Sequence, residues 1–331
     1  MSLIDAIEAV RRECQVRSIY CVRDYPSCAM SSWQIGGPVS LMIEAQSKAE
    51  LSAIVELVVS HAVPFVVVGD ATNLLFLDEG ILGVVVRVGR RLQTWRVDGT
   101  HLSAGAGMWV PRLARLASQL GLAGIEHVVG IPGTLGGLIV MNGGSLRRSI
   151  GENLKTVTAI HRATGRNVVI DNSDCEFGYR TSVFQKGEWI VTGATLQLAR
   201  GNSRKIRKEM LQILRARSKK FPRKLPQCGS VFKSHPELYR RHGSPGAILD
   251  SLGLKGTRRG DAEISTLHAN FVVNLGCAKS KDVLELVHLA RQRVVSATGF
   301  SLATEAHVVT PDCLVIPIHE YIDNNEGKCK G

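Results

Sequence analysis

Ser47 to Val88 reads SKAELSAIVELVVSHAVPFVVVGDATNLLFLDEGILGVVVRV. Ser47-Lys-Ala-Glu50 has capping-box spacing, and Leu51, Ile54, Val55 and Val58 follow on one side, so a helix is predicted through about His61. Pro64-Phe-Val-Val-Val68 comes next with the β-branched composition of a strand, and Gly83-Val-Val-Val-Arg-Val88 reads as another. Between them lies a polar turn, Gly69-Asp-Ala-Thr-Asn-Leu-Leu75. Helix, strand, turn and strand in succession predict a compact α/β unit ending near residue 90.

The same grammar continues outward. Pro111 sits at a first-turn position of a helix that Gly121 stops, and Arg204 to Lys220 places Ile206, Met210 and Leu214 at helical spacing among cations. The Ser280-Lys-Asp-Val helix carries an apolar stripe of Val283, Val287, Ala290 and Val294 and ends at Gly299. No fixed-period repeat or low-complexity tract interrupts this alternation, so the chain is predicted to mix α and β.

A length of 331 residues gives two or three domains, each able to bury its own core. With 44% apolar and 21% charged residues, disorder, coiled coil, collagen and disulfide scaffolds are excluded. The first residues alternate acids and bases and lack the apolar stretch and cleavage site of an export signal, and runs such as Ala62 to Val68 are far shorter than the roughly 20 residues that cross a bilayer. A cytoplasmic protein without a membrane partner is expected. Cys14, Cys21, Cys28, Cys175, Cys228, Cys277, Cys313 and Cys329 form no C-x-x-C pair and suggest neither a disulfide framework nor a metal site; they read as reduced thiols.

The net charge of +12 is concentrated between Arg200 and Gly260, where 17 Lys and Arg face three acids. Such a block can draw in nucleic acid or a phosphorylated small molecule, or it can be a solvated helix face. No zinc-finger or RRM signature and no interleaved aromatics accompany it, which weighs against nucleic acid.

Four stretches carry chemistry. Gly69 to Asn73 is a tight turn whose amides and Thr72 and Asn73 side chains suit phosphate oxygens. Gly130-Ile-Pro-Gly-Thr-Leu-Gly-Gly137 with Met141-Asn-Gly-Gly144 packs six glycines into 15 residues, letting backbone approach a flat or anionic ligand, or forming a structural turn between domains. It has neither G-x-G-x-x-G nor P-loop spacing. Glu176-Phe-Gly-Tyr-Arg-Thr-Ser182 and Lys224-Leu-Pro-Gln-Cys-Gly-Ser-Val-Phe-Lys233 each present an Arg or Ser just after a glycine turn, as a site residue or as ordinary surface.

Taken in order, with Ser31-Ser-Trp-Gln-Ile-Gly-Gly-Pro38, Ser265-Thr-Leu-His-Ala-Asn-Phe-Val-Val-Asn274 and Gly299 to Val308, these stretches resemble the UDP-N-acetylenolpyruvoylglucosamine reductase (MurB) family from about Ser31 to Val308. The resemblance implies an α+β fold: a two-domain FAD-binding module of the vanillyl-alcohol-oxidase (PCMH-type) superfamily followed by a C-terminal α/β substrate domain. Boundaries are expected near 90 and 205, giving flavin subdomains 1–90 and 91–205, a substrate domain 206–315 and a tail 316–331. It implies FAD as cofactor, NADPH as reducing co-substrate, and UDP-N-acetylglucosamine enolpyruvate as the small-molecule partner, reduced to UDP-N-acetylmuramate for peptidoglycan. A monomer is favoured, with no nucleic acid, membrane or metal. The basic block then lies where a UDP pyrophosphate must bind.

By motif position the resemblance assigns Arg180, Ser230 and Glu305 to catalysis, and Gly69, Thr72, Asn73, Pro132, Gly133, Thr134, Gly137 and Asn142 to the flavin. Tyr179, Lys224 and His268 fall on the substrate side. Cys228 reads as structural. Ala71 departs from the family's Gly-x-Gly-Ser-Asn and would be strained if the position needs positive φ. Ser234-His-Pro236 replaces the common Asn-Pro, Leu302-Ala-Thr-Glu305 keeps only the last carboxylate of Leu-Glu-Pro-Glu, and Ser145-Leu-Arg-Arg148 adds charge. The alternatives are a related flavoenzyme acting on another substrate and a flavin-free protein using the basic block on nucleic acid.

Overall fold

The computed structural model describes residues 2–325, so Cys329 and the end of the tail lie outside the described residues. The chain forms two compact units: one from the chain up to Val22 with Leu41–Asp70 and Val84–Arg217, the other from Arg23–Ser40, Ala71–Gly83 and the chain from Ser218 onward.

In the first unit the expected helix runs Lys48–Ser60 and buries Leu51, Ile54, Val55, Leu57 and Val58. Ser47 Oγ accepts the Glu50 N–H at 3.1 Å, while the Glu50 carboxylate accepts the N–H of Gln46 rather than that of the cap residue, so the capping box closes one residue early. Phe65–Val68 and Ile81–Val88 pair in parallel, with Phe65 opposite Val84. A five-stranded antiparallel sheet follows, in the order Asn167–Asp171, Leu154–His161, Trp189–Gln197, His101–Gly105, Trp95–Asp98. The helix Val110–Gln119 has Pro111 in its first turn, and Gly121 turns at φ +68° behind it. In the basic helix Ser203–Lys220 the buried stripe is Ile206, Met210 and Ile213; Leu214, predicted inside, is only partly covered, because the helix turns Ile213 to the core.

The second unit is built on the helix Ser280–Thr298, whose buried face is Val283, Leu286, Val287, Ala290 and Val294 and whose stop is Gly299 at φ +75°. Its strands are Arg258–Arg259, Ala262–Ile264 and Val272–Asn274, and separately Leu74–Phe76, His307–Val309 and Val315–Pro317. Two early segments are sewn into it. Trp33 is fully buried, its indole N–H donating to Val272 O at 2.8 Å while Asn274 Nδ2 donates to Trp33 O at 3.0 Å. Asp78 accepts both the N–H and the hydroxyl of Ser280, at 2.8 and 2.7 Å.

Ala71 is buried and sits at φ +46°, the left-handed region in which its Cβ is strained. Ala71→Gly removes that strain against a smaller gain in unfolded-chain entropy. We expect about 0.5–1 kcal/mol of stabilisation and a melting temperature higher by roughly 1 °C in a thermal scan. A lower melting temperature would mean that the methyl group's packing outweighs its strain. No helix among the described residues is long and apolar enough to cross a membrane.

Candidate active site

The glycine-dense segment of the first unit is held by backbone pairing with the chain before the helix Val110–Gln119. Val110 N–H donates to Gly133 O at 3.0 Å, Leu135 N–H to Met108 O at 2.8 Å and Gly136 N–H to Ala106 O at 2.9 Å. Thr134 is extended and caps the short helix Leu135–Val140, its hydroxyl accepting the Gly137 N–H at 3.4 Å. Gly69, at the end of the strand Phe65–Val68, lies so close that a Cβ there would stand 2.3 Å from Thr134 Oγ1. The fold thus brings Gly69, Pro132, Gly133, Thr134 and Gly137 to one backbone-lined cradle, while little stands near an added Cβ at Gly137, only Thr134 Oγ1 at 3.7 Å. Bare backbone and one hydroxyl are what a large anionic cofactor needs for close approach.

Asn142 follows that segment at φ +40° with a buried side chain. Its Nδ2 donates to Gly178 O at 2.8 Å and its Oδ1 accepts the Gly151 N–H at 3.0 Å, so the carboxamide ties the loop bearing Tyr179 and Arg180 to the glycine segment. Two further residues, to which sequence reading gave no role, fasten the same loop. Ser182 Oγ donates to Val140 O at 2.7 Å, and Gln185 Nε2 donates to Val140 O and Arg180 O, both at 3.0 Å. Arg180 itself stands at φ +57°, its Nη2 donating to Gly144 O at 3.1 Å and its Cζ lying 5.3 Å from the Tyr179 ring centroid. Tyr179 is 58% exposed. The loop is a rigid mount with a guanidinium and a phenol at its tip.

The segments of Ser230 and Glu305 pair in the second unit. Glu305 N–H donates to Val231 O at 2.7 Å, Phe232 bridges Thr304 and Lys233 N–H donates to Ala303 O at 2.9 Å, so the segments carrying the two side chains run alongside each other. Asn270 clamps the other side: its Oδ1 accepts the Phe232 N–H at 2.9 Å and its Nδ2 donates to Phe232 O at 3.0 Å, while Val231 N–H donates to Asn270 O at 2.9 Å. Gly229 turns at φ +91°, its N–H bonded to Gln227 Oε1, and so presents Ser230. Asn73 joins them, its Nδ2 donating to Glu305 O at 2.8 Å and its O accepting the His307 N–H at 3.1 Å. Thr72, one residue earlier, lies half-buried in the same unit.

Cys228 is buried, and burial followed by the Glu305 charge pushes its thiol well above the ordinary value, so it stays protonated and inert. His268 packs between Phe221 and Phe271, with ring centroids 5.5 and 5.1 Å away. Burial, then Lys220 and Lys255, lowers its pKa to about 4, and its Nδ1 accepts the Asn270 N–H at 3.2 Å. At neutral pH it offers an Nε2–H donor and no charge. Lys224 lies on an exposed turn before this segment.

Residues 39–171 match the family model described as FAD binding domain, and residues 221–309 match that of the UDP-N-acetylenolpyruvoylglucosamine reductase C-terminal domain. The chain is 41% identical over 294 residues to UDP-N-acetylenolpyruvoylglucosamine reductase 1 of Corynebacterium glutamicum, covering 89% of this chain and 88% of that one. The reductase of the same name from Rubrobacter xylanophilus is 36% identical, covering 86% and 94%. A crystal structure of the Thermus caldophilus reductase superposes with a TM-score of 0.73 at 33% identity, covering 88% of this chain and 98% of that one.

Proposed function

The chain belongs to the UDP-N-acetylenolpyruvoylglucosamine reductase family, and from that premise we propose how its own residues divide the reaction. It is an FAD-dependent oxidoreductase that reduces UDP-N-acetylglucosamine enolpyruvate to UDP-N-acetylmuramate in peptidoglycan precursor synthesis. NADPH is the reductant in this reading, and the enzyme is a cytoplasmic monomer with two flavin subdomains and a substrate domain.

The cradle suits the cofactor: Gly69, whose Cβ would collide with Thr134, and the backbone of Pro132, Gly133 and Gly137 would hold it, and motif position assigns Thr72, Asn73 and Asn142 to the same task. Held there, FAD would supply two-electron chemistry, accepting hydride from NADPH and passing it on to C3 of the enolpyruvyl double bond. Charge then flows through C2 into the substrate carboxylate. Arg180 neutralises that carboxylate through its planar fork. Glu305, once protonated or sharing a proton with a neighbour, hydrogen-bonds to the carboxylate as its charge grows. Ser230 gives its proton to C2, completing addition of hydride and proton across the double bond. Tyr179, Lys224 and neutral His268 bind the remainder of the substrate.

The observation that supports this division is the bond from Glu305 N–H to Val231 O, which holds the backbone of Glu305 against the residue that follows Ser230, so that the two segments lie side by side. The purified protein is expected to be yellow, to bleach with NADPH under anaerobic conditions, and to regain its colour on addition of UDP-N-acetylglucosamine enolpyruvate. Bleaching without return would remove that substrate.

A further inference from the structure

In the first unit a groove of about 520 Å³ is lined by Trp95, Trp109, Arg112, Arg115, Leu116 and Gln119. None of the flavin, substrate or catalytic residues assigned above lines it. Arg112, Arg115, Leu116 and Gln119 form one face of the helix Val110–Gln119. Trp95 opens the strand Trp95–Asp98, pointing to the same side as half-buried Val97, whereas Asp98 alternates to the opposite side. The guanidinium carbons of Arg90 and Arg115 stand 5.7 and 5.3 Å from the Trp109 ring centroid. Arg115 Nε donates to Pro111 O at 3.0 Å, and Arg112 Nη1 to Gln93 Oε1, which fixes both guanidiniums.

Charge separates this cluster from the arginines that serve structure. Arg148 and Arg291 lie against carboxylates, but among the described residues no carboxylate pairs with Arg90, Arg112 or Arg115. Arg112 and Arg115, each held by a hydrogen bond, and Arg90, over the Trp109 ring, thus stand together without a carboxylate partner, and Trp95, which lines the same groove, is 46% exposed. Water screens a lone arginine well, but pre-ordered guanidiniums beside a flat apolar ring match a ligand that is itself flat at one end and anionic at the other. The volume falls within the range of small-molecule sites, and a single open indole gives no path of successive stacking platforms for a nucleic-acid strand.

We propose that this groove binds a nucleoside di- or triphosphate, the base stacking on Trp95 and the phosphates bridging Arg112 and Arg115, apart from the reductase chemistry. The Trp109 backbone pairs with that of Thr134 in the flavin cradle, so the test must separate an added nucleotide from the adenosine diphosphate end of FAD itself.

The FAD-loaded enzyme is titrated with ADP by calorimetry, alongside adenosine and inorganic pyrophosphate. ADP is expected to bind at least tenfold more tightly than either half. Trp95→Ala and Arg115→Gln are each expected to weaken ADP at least tenfold with bound flavin and turnover unchanged, and Trp95→Phe to keep most of the affinity. Absence of ADP binding overturns the proposal. So does ADP binding that both variants leave untouched, which would place it where the UDP substrate goes, and so does loss of FAD from the variants, which would give the groove to the cofactor's own adenosine. Binding is read without turnover, so a wrong reductase substrate leaves this result intact.

Discussion

Ser230→Ala is expected to leave reduction of the flavin by NADPH nearly unchanged and to slow its reoxidation by UDP-N-acetylglucosamine enolpyruvate by about 10³-fold. The asymmetry arises because only the second half of the reaction needs a proton at C2. The substitution is clean, since the position of residue 230 is set by main-chain bonds: the Gly229 turn, Val231 N–H on Asn270 O and Glu305 N–H on Val231 O. None of them uses the serine hydroxyl. Stopped-flow traces at the flavin band resolve the two halves. Equal losses in both would mean that the hydroxyl matters to the cofactor rather than to proton delivery.

Arg180→Ala is the second large effect, a fall of about 10²–10³-fold in kcat/KM for the enolpyruvyl substrate. Residue 180 is already in the left-handed region at φ +57°, so alanine inherits the backbone strain and adds none. Gln185 still holds its carbonyl and Asn142 still holds Gly178. What disappears is the fork that meets a carboxylate gaining charge, and lysine, a point charge with no second prong, should recover little of the loss. An Arg180→Lys enzyme with near wild-type turnover would overturn that role.

Much of this was open to reading from the sequence, for identifiable reasons. Helices announced themselves through caps and stripes, because Ser47, Pro111 and Gly299 each answer a local backbone need. The strain at Ala71 was legible as a Cβ at a position to which the family resemblance assigns glycine, and the backbone there does turn left-handed. The fasteners were not visible. Gln185, Ser182 and Asn270 act on main-chain atoms through side-chain bonds that have no period and no composition. Asn142 shows the same limit: the motif marks the residue, but its bonds to Gly178 and Gly151 come only from the fold. The stripe on Ser203–Lys220 slipped by one side chain because Ile213 and Leu214 are equally apolar and differ only in which one the helix aims inward. Nor did periodicity say that Arg23–Ser40 and Ala71–Gly83 would join strands from the far end of the chain.

That last arrangement sets a timetable for synthesis. Trp33 and its acceptor Val272 are 239 residues apart, and at about 5–20 residues per second a ribosome delivers the second roughly 10–50 s after the first. Through that interval the indole and its neighbours have no finished place to bury themselves, and exposed apolar surface of that kind favours aggregation of a nascent chain. Loop closure over so long a span is slow in refolding as well, which makes the second unit the late step in maturation.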